Sequence, residues 1–536
     1  MATDSTPPNA FEQHQSPLFR LPREIRDEIY EYYAQETHGY HYDSSSGKLR
    51  MDSGERINLS LQYVCRRTFA EMDGIALRTN TITFPTTLDL PSVSDQLMNS
   101  EIYEYYLLSG RDAILRRMLE WSYPLVTSEI MEKLCERWPE STTVRKMSEF
   151  QRRGELSSSL SHGYLWDVDN TIPIDYDPHS TQALDIIRDL LDIMSADPEF
   201  WLMTASEFDL GLRKIYRPIA GGVEIDSRDT EYTSKAQQQR VLEWQPHEWW
   251  IPTRADLDKV AEFIPKDERF APFSAIHIRG GNRSYFSAAA ACIRFLERLN
   301  ESNLKHLRNI IILEDECSRP NSINHARGLI PFCLANNQIR IERKVEIWRA
   351  IIIEHGNIEI YDRAAEGLMM KIGAWISETK TLASLGMPPG SFKLTMHGPS
   401  PRTSQQIFDA VVKIATWDEG STILAATTFN QYFPDNVGGG FVEIIKSMIR
   451  GEIPVTFEAN MGEVWNIQEL LARHSAVWPL WFGDVLRIRD LEEPQGGWTL
   501  AREERFGVWK DRSEVNFDWM DQMEGFELLV LQEDDE

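Results

Sequence analysis

The chain has 536 residues, with 56 Lys and Arg against 83 Asp and Glu, a net charge of −27. Such a surface repels phosphate backbones, because nucleic acids are held chiefly by Lys and Arg that displace counterions, and no run of about 18 apolar residues exists to span a membrane. Neither nucleic acid nor membrane is therefore an expected partner, and 42% hydrophobic residues supply enough apolar material for more than one core.

Residues 1–16 are polar, contain Pro7 and Pro8, and read as a loose tail. They lack a basic stretch followed by an apolar core, so no secretory signal is expected and the cytoplasm or nucleus is the expected location. A helix follows from Leu21 to Tyr33. Pro22 suits its first turn, where a missing N–H costs nothing. Leu21, Ile25, Ile29 and Tyr32 or Tyr33 recur at helical spacing and make one apolar stripe. Glu36–Arg56 is polar and Ser/Gly-rich, and reads as a mobile loop or weak hairpin. A second helix places Leu61, Val64, Cys65, Thr68, Phe69 and Met72 on one side, with Asn58 or Ser60 as its cap. Thr81–Phe84 alternates β-branched residues and reads as a short strand before Pro85.

From about 95 to 250 the pattern is mainly helical. Glu101–Trp121 and Ala183–Met194 are the clearest helices, and Gly221–Gln239 is a polar separator. Farther on, Ala275–Ile278 reads as a strand, Tyr285–Leu299 as a helix and Asn309–Leu313 as a second strand, a spacing that fits a βαβ unit. Leu329–Cys333, Ile341–Ile353 and Asp362–Leu385 read as helices. Phe392, Leu394 and Met396 alternate as a half-buried strand, and Ile407–Ala415 and Phe441–Ile449 read as helices. The last part is rich in Trp and ends in the acidic Glu533–Glu536.

The expected fold is α+β and helix-dominated, a helical N-terminal module followed by a mixed helical and α/β body. By stretch, this gives a tail (1–16), the module (17–90), a helical region (91–250), an α/β region (251–420), a Trp-rich region (421–530) and an acidic tail (531–536).

Phe19–Tyr30 (FRLPREIRDEIY) and, later, Leu61–Arg67 (LQYVCRR) carry a Leu-Pro, a helix with isoleucines and then a Val-Cys-Arg helix. In kind and order these resemble the F-box-like domain that opens many proteins of filamentous fungi. The stretch His325–Cys333, followed by Ile341–Arg343 and Trp348, is similar to a segment of the same fungal proteins. The insert Glu36–Arg56 departs from the compact F-box pattern. The resemblance implies a helix face that seats apolar anchors in a groove of a Skp1-like adaptor protein, with Leu21, Pro22, Ile25, Ile29, Leu61 and Val64 as those anchors. It further implies that the body recruits a client, of unknown identity, to a ubiquitin ligase. The alternatives are a protein-interaction scaffold without a ligase role, in which the same residues form the core of a small domain, and an enzyme.

The chemistry-bearing candidates are few. His38 and His41 are three apart but have no third metal ligand in view. Glu314–Asp315–Glu316–Cys317 follows a strand, with His325 and Cys333 nearby; this acidic turn is the best catalytic candidate, since α/β sheets keep sites at strand C-termini. Cys317 is a poor nucleophile beside carboxylates. Val437–Gly440 and Ile278–Gly281 lack any nucleotide-loop pattern. Trp244, His247, Trp249 and Trp250 form either a partner patch or core. Five scattered cysteines without a CxxC pair suit a reducing compartment. No convincing catalytic motif, cofactor or metal site is expected.

Overall fold

The computed structural model describes residues 16–89, 99–139, 141–154, 181–205, 235–264, 284–320, 322–351, 364–428 and 440–474. Helix dominates, at 57% of these residues, and the helices surround a seven-stranded sheet in the order β2-β1-β3-β6-β7-β8-β9. Those strands are β1 (Tyr40–Asp43), β2 (Lys48–Met51), β3 (Thr81–Pro85), β6 (Asn309–Glu314), β7 (Arg340–Glu346), β8 (Phe392–His397) and β9 (Val455–Phe457). All pairings from β1 to β9 are parallel; only the β1–β2 hairpin is antiparallel. A parallel sheet with helical crossovers bears out the helix-dominated, mixed helical and α/β body, and makes the class α/β rather than α+β.

Parallel register puts aligned residues on the same face. Ile82, Ile310, Ile341 and Phe392 align, as do Phe84, Ile312, Arg343, Leu394 and Val455. This face packs under the helices Ala288–Arg298, Ala364–Ser384, Pro401–Thr428 and Phe441–Ile449 to form the main hydrophobic core. The strands follow one another across the sheet in chain order. Repeated crossovers of one hand then place these described core helices on the same side.

Residues 341–346, expected in a helix, are strand β7. Ile341, Arg343 and Val345 all point inward, so the true period is two. The inward arginine hides that alternation, and Ile341 with Val345 mimics helical spacing. Arg343 is tolerated there because Glu314, equally buried, accepts from its Nη2 at 2.5 Å and its Nε at 3.0 Å. The Ile323 carbonyl accepts from Nη1 and the Ser322 carbonyl from the second hydrogen of Nη2, and Trp375 lies 4.4 Å beneath the charge.

The insert Glu36–Arg56 is the hairpin of the two alternatives read from the sequence, not the loop. It makes β1 and β2, so the stretch read as a self-contained module supplies three strands to the main sheet. The segment Ala275–Ile278 lies outside the described residues. The strand just before the Ala288 helix is β5 (Ser284–Phe286), which pairs antiparallel with β4 (Thr87–Asp89) rather than with β6. This short ribbon closes the neck of a helical insertion, whose separate core runs from Ile102 to Ile264. The helices Asn99–Glu104, Asp112–Ser122 and Thr181–Ser195 stand where the periodicity places them, the first two joined by a π-helical stretch, Tyr105–Arg111. Gln239 belongs to the helix Lys235–Glu243 rather than to a separator.

The N-terminal module contains α1 (Pro17–Arg20), α2 (Arg23–Ala34), α3 (Arg66–Glu71) and α4 (Ile75–Thr79) around a small core of Tyr30, Ala34, Met72 and Ile75. Asn80 welds it to the sheet: its amide donates to the carbonyls of Ala34 and Ala76 and its oxygen accepts from the Glu36 N–H. Gly39 permits the entry into β1. Its φ is +67°, and a Cβ there would sit 2.2 Å from the Thr81 carbonyl oxygen.

Candidate functional site

Helix α2 presents its faces in an order that amphipathicity does not suggest. The inward residues are Arg26, Tyr30 and Ala34. Ile25, Ile29 and Tyr32 fall within about 60° of one another at 3.6 residues per turn, roughly 130° from the inward set. They are 42%, 37% and 84% exposed. Leu21 and Pro22, just ahead of the helix, are exposed as well.

A polar inner face is stable because Glu71 on α3 collects it. Its two oxygens accept from Arg26 Nη2 at 2.6 Å and Arg26 Nε at 2.8 Å, from the Tyr30 hydroxyl at 2.8 Å and from Arg67 Nε at 2.9 Å. Burial alone would raise the Glu71 pKa. The donors from Arg26, Arg67 and Tyr30 outweigh it and hold the carboxyl down at about 2. Burial and Glu71 together push the Tyr30 hydroxyl up to about 12. Arg67 also lies over the Phe19 ring at 4.5 Å, and Arg26 donates to the Leu21 carbonyl at 2.6 Å, which fixes the start of α2.

The second half of the face precedes and includes α3. That helix starts at Arg66, with Cys65 as its cap rather than Asn58 or Ser60. Tyr63 and Val64, each 70% exposed, sit in the turn before it, and Phe69 projects outward with its ring 6.0 Å from that of Tyr63. Leu61 is half-buried and packs on the module's own core. Of the six anchors expected, Leu21, Pro22, Ile25, Ile29 and Val64 are open to solvent, and Leu61 is a core contact. Among the described residues twelve large hydrophobic side chains are exposed, and seven of them lie between positions 21 and 69. Tyr32, Tyr63 and Phe69 complete this set; their aromatic character was the available signal in the sequence.

The acidic turn after β6 is arranged differently. Glu314 accepts from the Ala288 and Ala289 N–H groups at the start of their helix and from Arg343. Asp315 accepts from the Thr86 hydroxyl at 2.6 Å, and Glu316 pairs with Arg349 at 3.4 Å. His325 is buried with Nδ1 2.6 Å from the Ser287 hydroxyl, itself fully buried. Burial, then the Arg343 charge, pushes the imidazole well below its usual pKa. Glu346 caps its own short helix, Ile347–Ala350, and burial raises it to about 7 against the N–H groups of Arg349 and Trp348. The strands from β1 to β9 run in unbroken order, so the described sheet has no switch point of the kind where α/β folds open a crevice.

His38 lies in an exposed turn, and His41 on β1 faces Asp52 at 3.3 Å. Among the described residues no group of three His, Cys, Asp or Glu side chains is placed to hold a metal ion. Trp244 and Trp250 pack on the core of the helical insertion, whereas Trp249 stacks on His247 at 4.8 Å and packs on the main core. Trp465 packs on the main core too; the later tryptophans, Val437–Gly439 and Ile278–Gly281 lie outside the described residues. No described helix is long and apolar enough to cross a membrane. No family model, curated protein or solved structure matches the chain.

Proposed function

We propose that this protein is an F-box-like adaptor, a substrate-recruiting subunit that docks a Skp1-like adaptor protein through the outward face of α2 and the Tyr63–Val64 turn. One observation carries the reading: Leu21, Ile25, Ile29 and Val64 point away from the protein's own core. Apolar surface left in water is a free-energy source for association, about 25 cal/mol per Å² when covered. A continuous stripe on a helix is the usual form of a helix-in-groove contact. The inner face of α2 is already satisfied by Glu71, so docking need not disturb the module.

The test is co-purification of the full chain with a Skp1-like adaptor. The wild type retains it, and Ile25→Asp or Ile29→Asp releases it while the far-ultraviolet circular dichroism stays unchanged. Failure of the wild type to retain the adaptor, or retention by both aspartate variants, overturns the proposal. A folded chain that fails to bind returns the module to the scaffold reading.

A further inference from the structure

The helical insertion and the α/β body have separate hydrophobic cores, so the contacts between them decide whether they act as one. A loop of the insertion, residues 244–250, meets the body at the 3-10 turn Ile323–Leu329. Trp249 lies against Gly328, where a Cβ would come within 2.6 Å of the indole, so this approach needs glycine. Next to it, Glu248 accepts a hydrogen bond from the side-chain amide of Asn324. The Tyr103 hydroxyl, within the insertion, donates to the His247 carbonyl at 2.7 Å and fixes the loop from behind. Glu104 of the insertion pairs with Arg319 of the body at the same seam.

Glu248 makes no ion pair among the described residues, although cations surround it. Arg327 is taken up by Glu378, which accepts from its Nε and its Nη2 at 2.6 Å each. Arg188 pairs with Asp185 at 2.8 Å. Arg111 meets Asp112 through Nε alone, at 2.8 Å, and its Nη groups make no hydrogen bond among the described residues. Arg111 and Arg327 are near enough for their charges to act on Glu248, as are Asp112 and the Tyr103 hydroxyl. Asp185 acts in turn on Arg327, and His325, beside Asn324 in the chain, is engaged by Ser287. Glu248 therefore stands between two partners on different bodies, the Asn324 amide on the α/β body and the Arg111 guanidinium on its own insertion. A protonated carboxyl matches an amide with two hydrogen bonds, its O–H to the amide oxygen and the amide N–H to its carbonyl oxygen. The ionised form keeps only the second and gains more from a guanidinium.

We propose that Glu248 is a proton-operated latch of the helical insertion, closed on Asn324 when protonated and released toward Arg111 when ionised. Burial in the seam raises the Glu248 pKa from its ordinary 4.5 to about 7, against the Asn324 hydrogen bond and the Arg111 and Arg327 charges, with Asp112 adding to the rise. Closing the seam takes up a proton. Closure is therefore complete below 4.5, weakens as pH rises through 7 and is constant above. Burial raises Asp185 as well, so only a change at position 248 isolates the latch. The latch lies apart from the face of α2 and does not rest on the adaptor reading.

Hydrogen exchange of the full chain tests it, followed over residues 244–250 and 323–329 from pH 5.5 to pH 8.5, with each rate divided by the intrinsic rate at that pH. Opening of the wild-type seam should increase about tenfold between pH 6 and pH 8, the ratio given by titration at 4.5 when open and about 7 when closed. Glu248→Gln keeps an amide-to-amide pair with Asn324 and has nothing to titrate, so the step should vanish. Arg111→Gln removes the charge that draws the ionised form, so the step should move to higher pH. This second variant also decides the matter if Glu248→Gln fails to fold. A step of equal size in the wild type and in folded Glu248→Gln overturns the inference, as does a step that keeps its position in folded Arg111→Gln.

Discussion

Arg26 on α2 and Glu71 on α3 form a two-pronged ion pair, 2.8 and 2.6 Å, between residues 45 positions apart, with both side chains nearly buried. This pair decides which side of α2 faces the body. It turns a charged stripe inward and leaves the isoleucines outside. Breaking one half of a buried pair strands the other charge.

Glu71→Ala should therefore destabilise the N-terminal module by about 3 kcal/mol, the lower end for a broken buried pair. The measurement is hydrogen exchange of residues 23–34, or urea unfolding of the full chain. A change no larger than that of a surface substitution would count against the pair's role.

The same carboxyl sets an acid limit. Glu71 titrates at about 2 in the fold against an ordinary 4.5. The unfolded chain binds a proton first as pH falls, so the stability that Glu71 contributes is complete above 4.5 and is lost as pH drops toward 2. Glu71→Gln should flatten the pH dependence of module stability across that window, read by circular dichroism melts from pH 6 to pH 2.5. A slope equal to that of the wild type would refute it.

The two faces of α2 should respond in opposite ways to truncation. Tyr30→Ala removes a fully buried ring and should cost about 3–5 kcal/mol, as large aromatic deletions do. Ile25→Ala should stay within about 0.5 kcal/mol, as an exposed substitution. Denaturant midpoints of the two variants, compared at equal slope, decide the matter.

At the sheet, Glu314→Leu with Arg343→Met replaces a buried ion pair by apolar groups of similar size, a change often close to neutral. Here it should remain destabilising, because the Ala288 and Ala289 N–H groups lose their acceptor as well. Thermal melts should rank the wild type above the double variant and the double variant above Glu314→Leu alone. A double variant as stable as the wild type would show that the helix start does not depend on Glu314.

Two buried groups near that pair pull the pH profile in opposite directions. His325 is held neutral, so the unfolded chain takes up its proton first, and stability falls as pH drops below 6.5. Glu346 keeps its proton in the fold up to about 7, so stability falls as pH rises from 4.5 through 7. His325→Gln should reduce the acid-side loss and Glu346→Gln the neutral-side loss, each read from unfolding midpoints at matched pH. Identical profiles for wild type and variant would exclude the corresponding group.

Much of the secondary structure was legible from period alone. The helices at Arg23–Ala34, Thr181–Ser195, Ala288–Arg298 and Phe441–Ile449 and the strands at Asn309–Glu314 and Phe392–His397 lie where their apolar repeats predict them. Strand β7 was misread because Arg343 interrupts an alternation that only its partner Glu314 makes tolerable. Strand β9 has three residues and too little sequence to show a period. Strands β1 and β2 were legible only as one of two alternatives, a weak hairpin or a loop, because a Ser/Gly turn and polar side chains suit a sheet edge as well as a loop.

By itself the sequence determined the helix and strand periods, the acidic surface and the gathering of Leu21, Ile25 and Ile29 into one stripe, because each depends only on residues close along the chain. Tertiary structure alone decided that this stripe faces out, that β3 pairs with both β1 and β6, and that the described core helices share one side of the sheet. Each of those outcomes turns on pairings between distant residues, Arg26 with Glu71, Ile82 with Ile310 and Arg343 with Glu314, and local periodicity carries no information about which remote group will neutralise a charge or complete a ladder.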